Sequence, residues 1–459
     1  MKVLLLSSYE LGRQPVHVAS PAASLKRVGH DVRAVDTSLD ELQTDDLDWA
    51  DLVAISVPMH TAKRIGDELT AEISSYSEGL PIAHYGLYAG VGDAADSRLV
   101  DAVFEGEYEP GLLKWVEEVQ NRAFVSAHHI GKSEFVVPDR SILPSLDRYA
   151  RLEQKGQSML VGAVEASHGC RHRCRHCPIP VVYDGRMRVV PQDVVLEDIA
   201  RLVENGARHI TFGDPDFLNA PAHSVSILEE AHAAHPEVTF DATIKVEHIL
   251  RHIDLWPHLA EQNLLFVVSA FESVDETTLG ILDKGHTVDD MVLAIETLRG
   301  VGIHIRPTWL PFVPWTRADH VASLFHFITD NDLVSATDPV QLAIKLLIPE
   351  GSLLEHHPAV TPHLIRYDSD SLTWQWSFAE PDVAVLHKEL TAIAADASEC
   401  EQQVTPTLQA MWRAAATRLD TDIGALPQNG ADTPRLTESW FCCAEPTESQ
   451  AVSLQIGRA

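Results

Sequence analysis

The chain has 459 residues, 45% hydrophobic and 22% charged, which is the balance of a globular protein with two or three cores. Lys and Arg number 35 against 67 Asp and Glu, a formal net charge of −32. A surface that acidic repels phosphate backbones and anionic lipid, so nucleic-acid and membrane partners are not expected. The opening apolar run, residues 3–6, is too short for a signal peptide or a membrane span, and a cytoplasmic, reducing location is expected. There, closely spaced cysteines bind metal or do chemistry rather than form disulfides.

Residues 1–125 alternate strand and helix patterns. Short apolar runs at 3–6, 32–35, 52–57, 82–85 and 102–104 suit buried parallel strands, and the first helix is expected over 21–29 with Gly29 closing it. The order implies a doubly wound open sheet of about five strands, whose ligands sit beyond the carboxyl ends of the strands. With Gly106-Glu107-Tyr108-Glu109 after the last run, this part resembles the cobalamin-binding domains that precede many radical enzymes. It lacks the Asp-x-His-x-x-Gly signature that supplies a histidine to cobalt, so the resemblance leaves cobalamin uncertain.

Residues 126–155 read as a linker with short extended pieces. From residue 156 to about 350 a second βα series follows: strands are expected at 160–164, 209–212, 238–240, 264–271, 303–306 and 341–348, and a helix over 191–204. Six strands with helices between them predict a partial (βα)6 barrel with its active residues at the strand carboxyl ends. Residues 351–459 form a C-terminal mixed and helical extension, with helices expected over 382–395 and 405–419 and a Pro/Gly/Asp-rich segment at 421–438.

The first barrel strand runs into Cys170, Cys174 and Cys177, a C-x3-C-x2-C spacing that holds three of the six cysteines. A Cys3His zinc site using His168, His172 or His176 is one reading; a [4Fe–4S] cluster with one iron left open is the other. The spacing after a barrel's first strand resembles the radical S-adenosylmethionine superfamily over residues 156–350. That resemblance implies a [4Fe–4S] cluster on Cys170, Cys174 and Cys177, S-adenosylmethionine on the open iron, and an electron donor such as flavodoxin or ferredoxin. It places His176 where an aromatic residue meets adenine, and Gly213, Asp214 and Asp216 at the methionine amino group. Ser269 and Glu272 could meet the ribose or carboxylate end, and Lys245 and Arg306 are cations suited to the methionine carboxylate.

Near the end stand Cys442 and Cys443, adjacent thiols that cannot easily bond to each other and suit a soft, thiophilic ion such as trivalent arsenic. A buried thiol pair is the plainer alternative. Cys442-Cys443-Ala444-Glu445-Pro446 matches the tail of the CUAEP/CCAEP-tail radical S-adenosylmethionine proteins, which include the arsinothricin-biosynthesis enzyme. The resemblance implies transfer of the 3-amino-3-carboxypropyl group of S-adenosylmethionine to arsenite, giving hydroxyarsinothricin, with Cys442, Cys443 and Glu445 as the catalytic set. The alternatives are a cobalamin-dependent methyltransferase or another 5′-deoxyadenosyl-radical enzyme, and, from another class, a metal- or arsenic-binding protein without catalysis.

Overall fold

Continuous apolar runs need cover on both faces, and the N-terminal strands find it in a parallel sheet between helices. The computed structural model describes residues 1–92, 100–119, 124–400, 402–419, 421–428 and 433–438. Strands β1 (Lys2–Ser7), β2 (Asp31–Asp36), β3 (Leu52–Ser56), β4 (Ile82–Tyr85), β5 (Ala102–Gly106) and β6 (Val125–His129) form a parallel sheet of order β2-β1-β3-β4-β5-β6. β6 is a sixth strand in a stretch read from sequence as linker. Its burial alternates between half-buried and exposed, as an edge strand's does, so it offers no apolar run to detect.

The first helix covers Val16–Arg27 and starts five residues before the expected point, which puts Pro21 inside it. A proline there cannot donate to the His17 carbonyl one turn back. The Tyr85 hydroxyl donates to that carbonyl instead, at 2.9 Å. Gly106 closes β5 at φ +73, and a Cβ there would lie 2.3 Å from the His129 carbonyl oxygen, so only glycine fits.

The second sheet is built from β7 (Arg151–Gln154) and β8 (Gln157–Val164), an antiparallel hairpin. Past a small ribbon of β9 (Ser167–Gly169) with β10 (Met187–Val189) come β11 (His209–Phe212), β12 (Thr239–Thr243), β13 (Leu264–Glu272) and β14 (His304–Trp309). β8 and β11 to β14 run parallel and curl into a half-barrel, with helices such as Gln192–Glu204 on the outside. The C-terminal part adds the hairpin of β15 (Leu364–Asp368) and β16 (Thr373–Trp376), then helices Pro381–Glu399 and Val404–Leu419.

The expected sixth barrel strand at 341–348 does not form. The chain makes a 3-10 turn at Pro339–Ala343 and then a single parallel bridge between Phe312 and Lys345. The Gln341 side chain accepts from the Trp309 backbone N–H at 3.0 Å, taking the hydrogen bond that a neighbouring strand would have accepted. Closure comes instead from the C-terminal segment. β17 (Arg435–Leu436) adds antiparallel to β7, and Leu436 packs inside the curl with Leu152, Val161, Phe266 and Val268. From the opposite edge, Arg306 on β14 donates to the Pro434 carbonyl at 2.9 Å and to Asp338 at 2.7 Å.

The connector ties the sheets together through one buried cation. Arg140 donates to both oxygens of Asp198, at 2.7 and 2.8 Å, and to the Ala163 carbonyl on β8 at 2.6 Å. Both side chains are only 4% exposed. Removing one partner leaves a buried, uncompensated charge, so Asp198→Ala should cost about 3–5 kcal/mol, read as a fall in the urea midpoint. A change under about 1 kcal/mol would show that Arg140 is not an essential tie.

A candidate cofactor site between the two sheets

The carboxyl ends of both parallel sheets open on one cavity of about 330 Å³. Leu11, Met59, Gly86 and Tyr88 line it from the N-terminal sheet, and Cys170, Cys174 and Cys177 from the loop after β8. Cys170 and Cys174 are buried and Cys177 is half-buried. Gly169 enters the loop at φ +73, where a Cβ would lie 2.5 Å from the Arg186 carbonyl oxygen. Arg175 anchors the loop's middle: its N–H donates to the Leu282 carbonyl at 2.9 Å and its guanidinium to the Ile281 carbonyl at 2.7 Å. Asn219 Nδ2 donates to Cys170 Sγ at 3.4 Å, and burial pushes the Cys170 thiol up.

Of the residues singled out from sequence, His176, Gly213, Asp214, Lys245 and Glu272 line this cavity with the three cysteines. His176 does not offer an aromatic face alone; its Nε2 lies 3.1 Å from Glu272 Oε1, and Lys284 Nζ lies 3.2 Å from the same oxygen. Burial raises the Glu272 carboxyl, but Lys284 and His176 outweigh it and hold it well below the usual range. Asp214 is spent locally, accepting from Ser167 Oγ at 2.5 Å and the Ala166 N–H at 2.9 Å, and burial pushes its carboxyl up to about 7. Lys245 Nζ lies 3.6 Å from Glu247.

Three expected contacts fall elsewhere. Ser269 is fully buried between Val267 and Phe271, which both join the helix-facing core, so strand alternation turns it away from the cavity. Arg306 is committed to Asp338 and Pro434 in closing the half-barrel. Asp216 is fully buried behind the cysteine loop, facing His172 at 3.5 Å and His248 at 2.7 Å. Cys442, Cys443 and Glu445 lie outside the described residues. The three histidines of the zinc reading all turn to carboxylates: His168 to Glu107 and Glu165, His172 to Asp216 and Glu247, and His176 to Glu272. The triplet of thiols, backed by the Lys284 ammonium, fits a thiolate-held iron–sulfur cluster.

Sequence reasoning missed the wall opposite. Glu165, at the end of β8, lies 3.4 Å from His17 Nε2 and 3.2 Å from His168 Nε2. His168 Nδ1 meets Glu107 at 3.2 Å, and Tyr183 donates to Glu107 at 3.1 Å. Burial opposes charge on His17, but Glu165 and Glu10 push it up to about 9. Burial, helped by the neighbouring Glu165 and Asp36 carboxylates, raises Glu10 to about 7 against the pull of His17 and the Val16 N–H. Arg13 reaches from the loop after β1 into the same cavity; burial pushes its guanidinium down while Asp241, Glu10 and Glu165 support the charge. The one sequence signal here was Gly106-Glu107-Tyr108-Glu109, noticed for its resemblance and not for a partner.

Residues 164–323 match the Radical SAM superfamily, so the chain carries a radical S-adenosylmethionine domain; a [4Fe–4S] cluster and S-adenosylmethionine are that superfamily's cofactors. Among curated proteins the chain is 21% identical over 295 residues to a hopanoid C-2 methylase of Rhodopseudomonas palustris, covering 60% of this chain and 52% of that one. It is 24% identical over 339 residues to a hopanoid C-3 methylase of Methylococcus capsulatus, covering 68% and 64%. The chain thus spans about half to two thirds of the length of these relatives. Its fold is similar to that of OxsB, a cobalamin-dependent S-adenosylmethionine radical enzyme, with a TM-score of 0.66 at 14% identity over 86% of this chain and 67% of that one. TsrM of Kitasatospora setae, a radical S-adenosylmethionine methyltransferase, gives a TM-score of 0.53 at 15% identity over 72% and 70%. Among the described residues no helix is long and apolar enough to cross a membrane.

The junction between the sheets carries a pH signature. The folded value of His17, about 9, lies above the ordinary imidazole value of about 6.5. Its contribution to stability is therefore complete below about 6.5 and is lost as pH rises through about 9. Melting temperature should fall between about pH 7 and 9.5 in the wild type, while His17→Gln starts lower and declines less. Equal slopes in the two proteins would remove His17 as the source.

Proposed function

We propose that this radical S-adenosylmethionine chain transfers the 3-amino-3-carboxypropyl group of S-adenosylmethionine to arsenite, making the carbon–arsenic bond of hydroxyarsinothricin. Cys170, Cys174 and Cys177 would hold the cluster. When bound, the cluster supplies the single electron, drawn from a donor such as flavodoxin or ferredoxin, that breaks a carbon–sulfur bond of the sulfonium. Lys245 would pair with the methionine carboxylate, and Gly213 and Asp214 would border the methionine end. The His176–Glu272 pair would present an acceptor to the ribose. The lipophilic wall of Met59, Leu87 and Tyr88 would exclude water from the radical.

Cys442 and Cys443 would bind trivalent arsenic as thiolates in place of hydroxide, with Glu445 exchanging the protons. The alkyl radical would add to the arsenic lone pair, the adduct would return one electron to the oxidised cluster, and two waters would then displace the Cys442 and Cys443 thiolates, giving them back their protons. One electron enters and one leaves, so the transfer is redox-neutral overall, and arsenic passes from the trivalent to the pentavalent state.

The observation that carries this reading is the anchoring of the chain just before the tail. Tyr9 donates to Glu438 at 2.6 Å, and a Cβ on Gly12 would lie 2.7 Å from Glu438 Cγ. Both belong to the loop after β1 that sends Glu10, Leu11 and Arg13 into the cavity. Three residues, 439–441, separate Glu438 from Cys442, a reach of at most about 14 Å. That anchor, against the loop that lines the cavity, is what supports a tail reaching it.

Replacing both tail cysteines by serine should abolish arsenite-dependent product and 5′-methylthioadenosine while leaving the cluster absorbance unchanged. Product persisting in that variant would exclude the tail as the arsenic ligand. Glu438→Ala, which frees the anchor, should lower turnover several-fold with the cluster intact.

A second reading is cobalamin-assisted methyl transfer, favoured by the likeness in fold to OxsB and TsrM and by a cavity that the carboxyl-end loops of the N-terminal sheet also line. Corrinoid retained by the purified protein, with methylated product independent of arsenite, would select it.

A further inference from the structure

Behind the cysteine loop, two buried side chains and a half-buried one converge without completing hydrogen bonds. His172 stands between Cys170 and Cys174, Asp216 follows β11, and His248 lies in the helix Val246–Arg251 after β12. One donor atom from each lies within 4.8 Å of the others. Asp216 is fully buried and His248 only 5% exposed. Even so, neither Asp216 oxygen, nor His172 Nε2, nor His248 Nδ1 has a hydrogen-bond partner. His248 Nδ1 comes to 2.7 Å from Asp216 Oδ2, but off the line that a hydrogen bond requires. Donor atoms so close together, none of them closing a hydrogen bond, can share one ion. A buried carboxylate left with both oxygens unsatisfied is a charge the fold must compensate.

We propose that His172, Asp216 and His248 bind a divalent transition-metal ion, zinc or ferrous iron, as a centre separate from the cysteine triplet. Two imidazoles and one carboxylate are a common borderline donor set for these ions. Ligands around a tetrahedral ion with bonds near 2.0–2.1 Å sit about 3.4 Å apart. The His172–Asp216 distance of 3.5 Å already suits that spacing, and the 2.7 Å pair needs only a small opening. Glu247 completes the arrangement. Its Oε2 lies 3.6 Å from His172 Nδ1, where it can orient the ring with Nε2 toward the ion, as carboxylates do behind metal-bound histidines. Lys245 and Arg251, the cations nearby, are paired with Glu247. The ion ties the loops after β8, β11 and β12 together and fixes the cysteine loop from behind.

The test uses full-length protein with its cysteine cluster reconstituted anaerobically and loose metal removed by a chelator. Titration with zinc by calorimetry should show one equivalent taken up per chain. Cobalt should give ligand-field bands without an intense thiolate charge-transfer band. His248→Ala should take up none, and Glu247→Gln should keep one site with affinity lower by about 10–100-fold. Should the buried change disturb the fold, His172→Gln, with an unchanged circular dichroism spectrum, must also lose the equivalent. No uptake by the wild type, uptake unchanged in both histidine variants, or cobalt bound through thiolate would each overturn the proposal.

Discussion

Glu165 ends the first barrel strand between two imidazoles, one from each half of the molecule. His17 comes from the first helix of the N-terminal sheet, and His168 is in turn held by Glu107 at the end of β5. This carboxylate–imidazole chain is half-buried and ends on the buried Glu107, where unpaired charge would be costly and paired charge is oriented. It turns the carboxyl ends of two parallel sheets toward each other. Each sheet by itself would place its ligands beyond its own strand ends. Joined here, they share one cavity, and the cysteine loop faces a wall the barrel does not supply.

The cysteine loop is held from several sides by groups distant in sequence. Arg175 is fixed to carbonyls 105 and 106 residues away, Cys170 receives the Asn219 amide, and Lys284 sets a positive charge before Cys174 and Cys177. A cation near thiolates offsets the charge they bring into a buried site. Lys284 is itself steadied by Glu272, a residue at φ +66 where β13 breaks register. Strain of this kind persists only where its surroundings over-determine it, and here it sets the carboxylate between Lys284 and His176.

The C-terminal segment has two roles. Leu436 fills the inside of the half-barrel, and Pro434 receives Arg306 from the far edge, so five parallel strands are enough without a sixth. The same short stretch brings Glu438 against Tyr9 at the sheet junction. Closure of the barrel and the contact with the loop after β1 therefore depend on the same six residues, 433–438.

The strands that form continuous apolar runs were legible from sequence, as was the C-x3-C-x2-C loop, because local pattern alone specifies them. β6 was not, since an edge strand with one wet face lacks the run, and 341–348 was misread because Gln341 satisfies the neighbouring strand with its side chain. The cysteines, His176, Asp214, Lys245 and Glu272, which line one cavity, were singled out by the cysteine spacing and by position at strand ends. Which of those ends point inward depends on alternation and register, and that separated Glu272 from Ser269 and sent Arg306 to Asp338. The pairing of Glu165 with His17 and His168, like the convergence of His172, Asp216 and His248, joins residues on different elements. No periodicity encodes such pairs; they exist only once the sheets have curled and met.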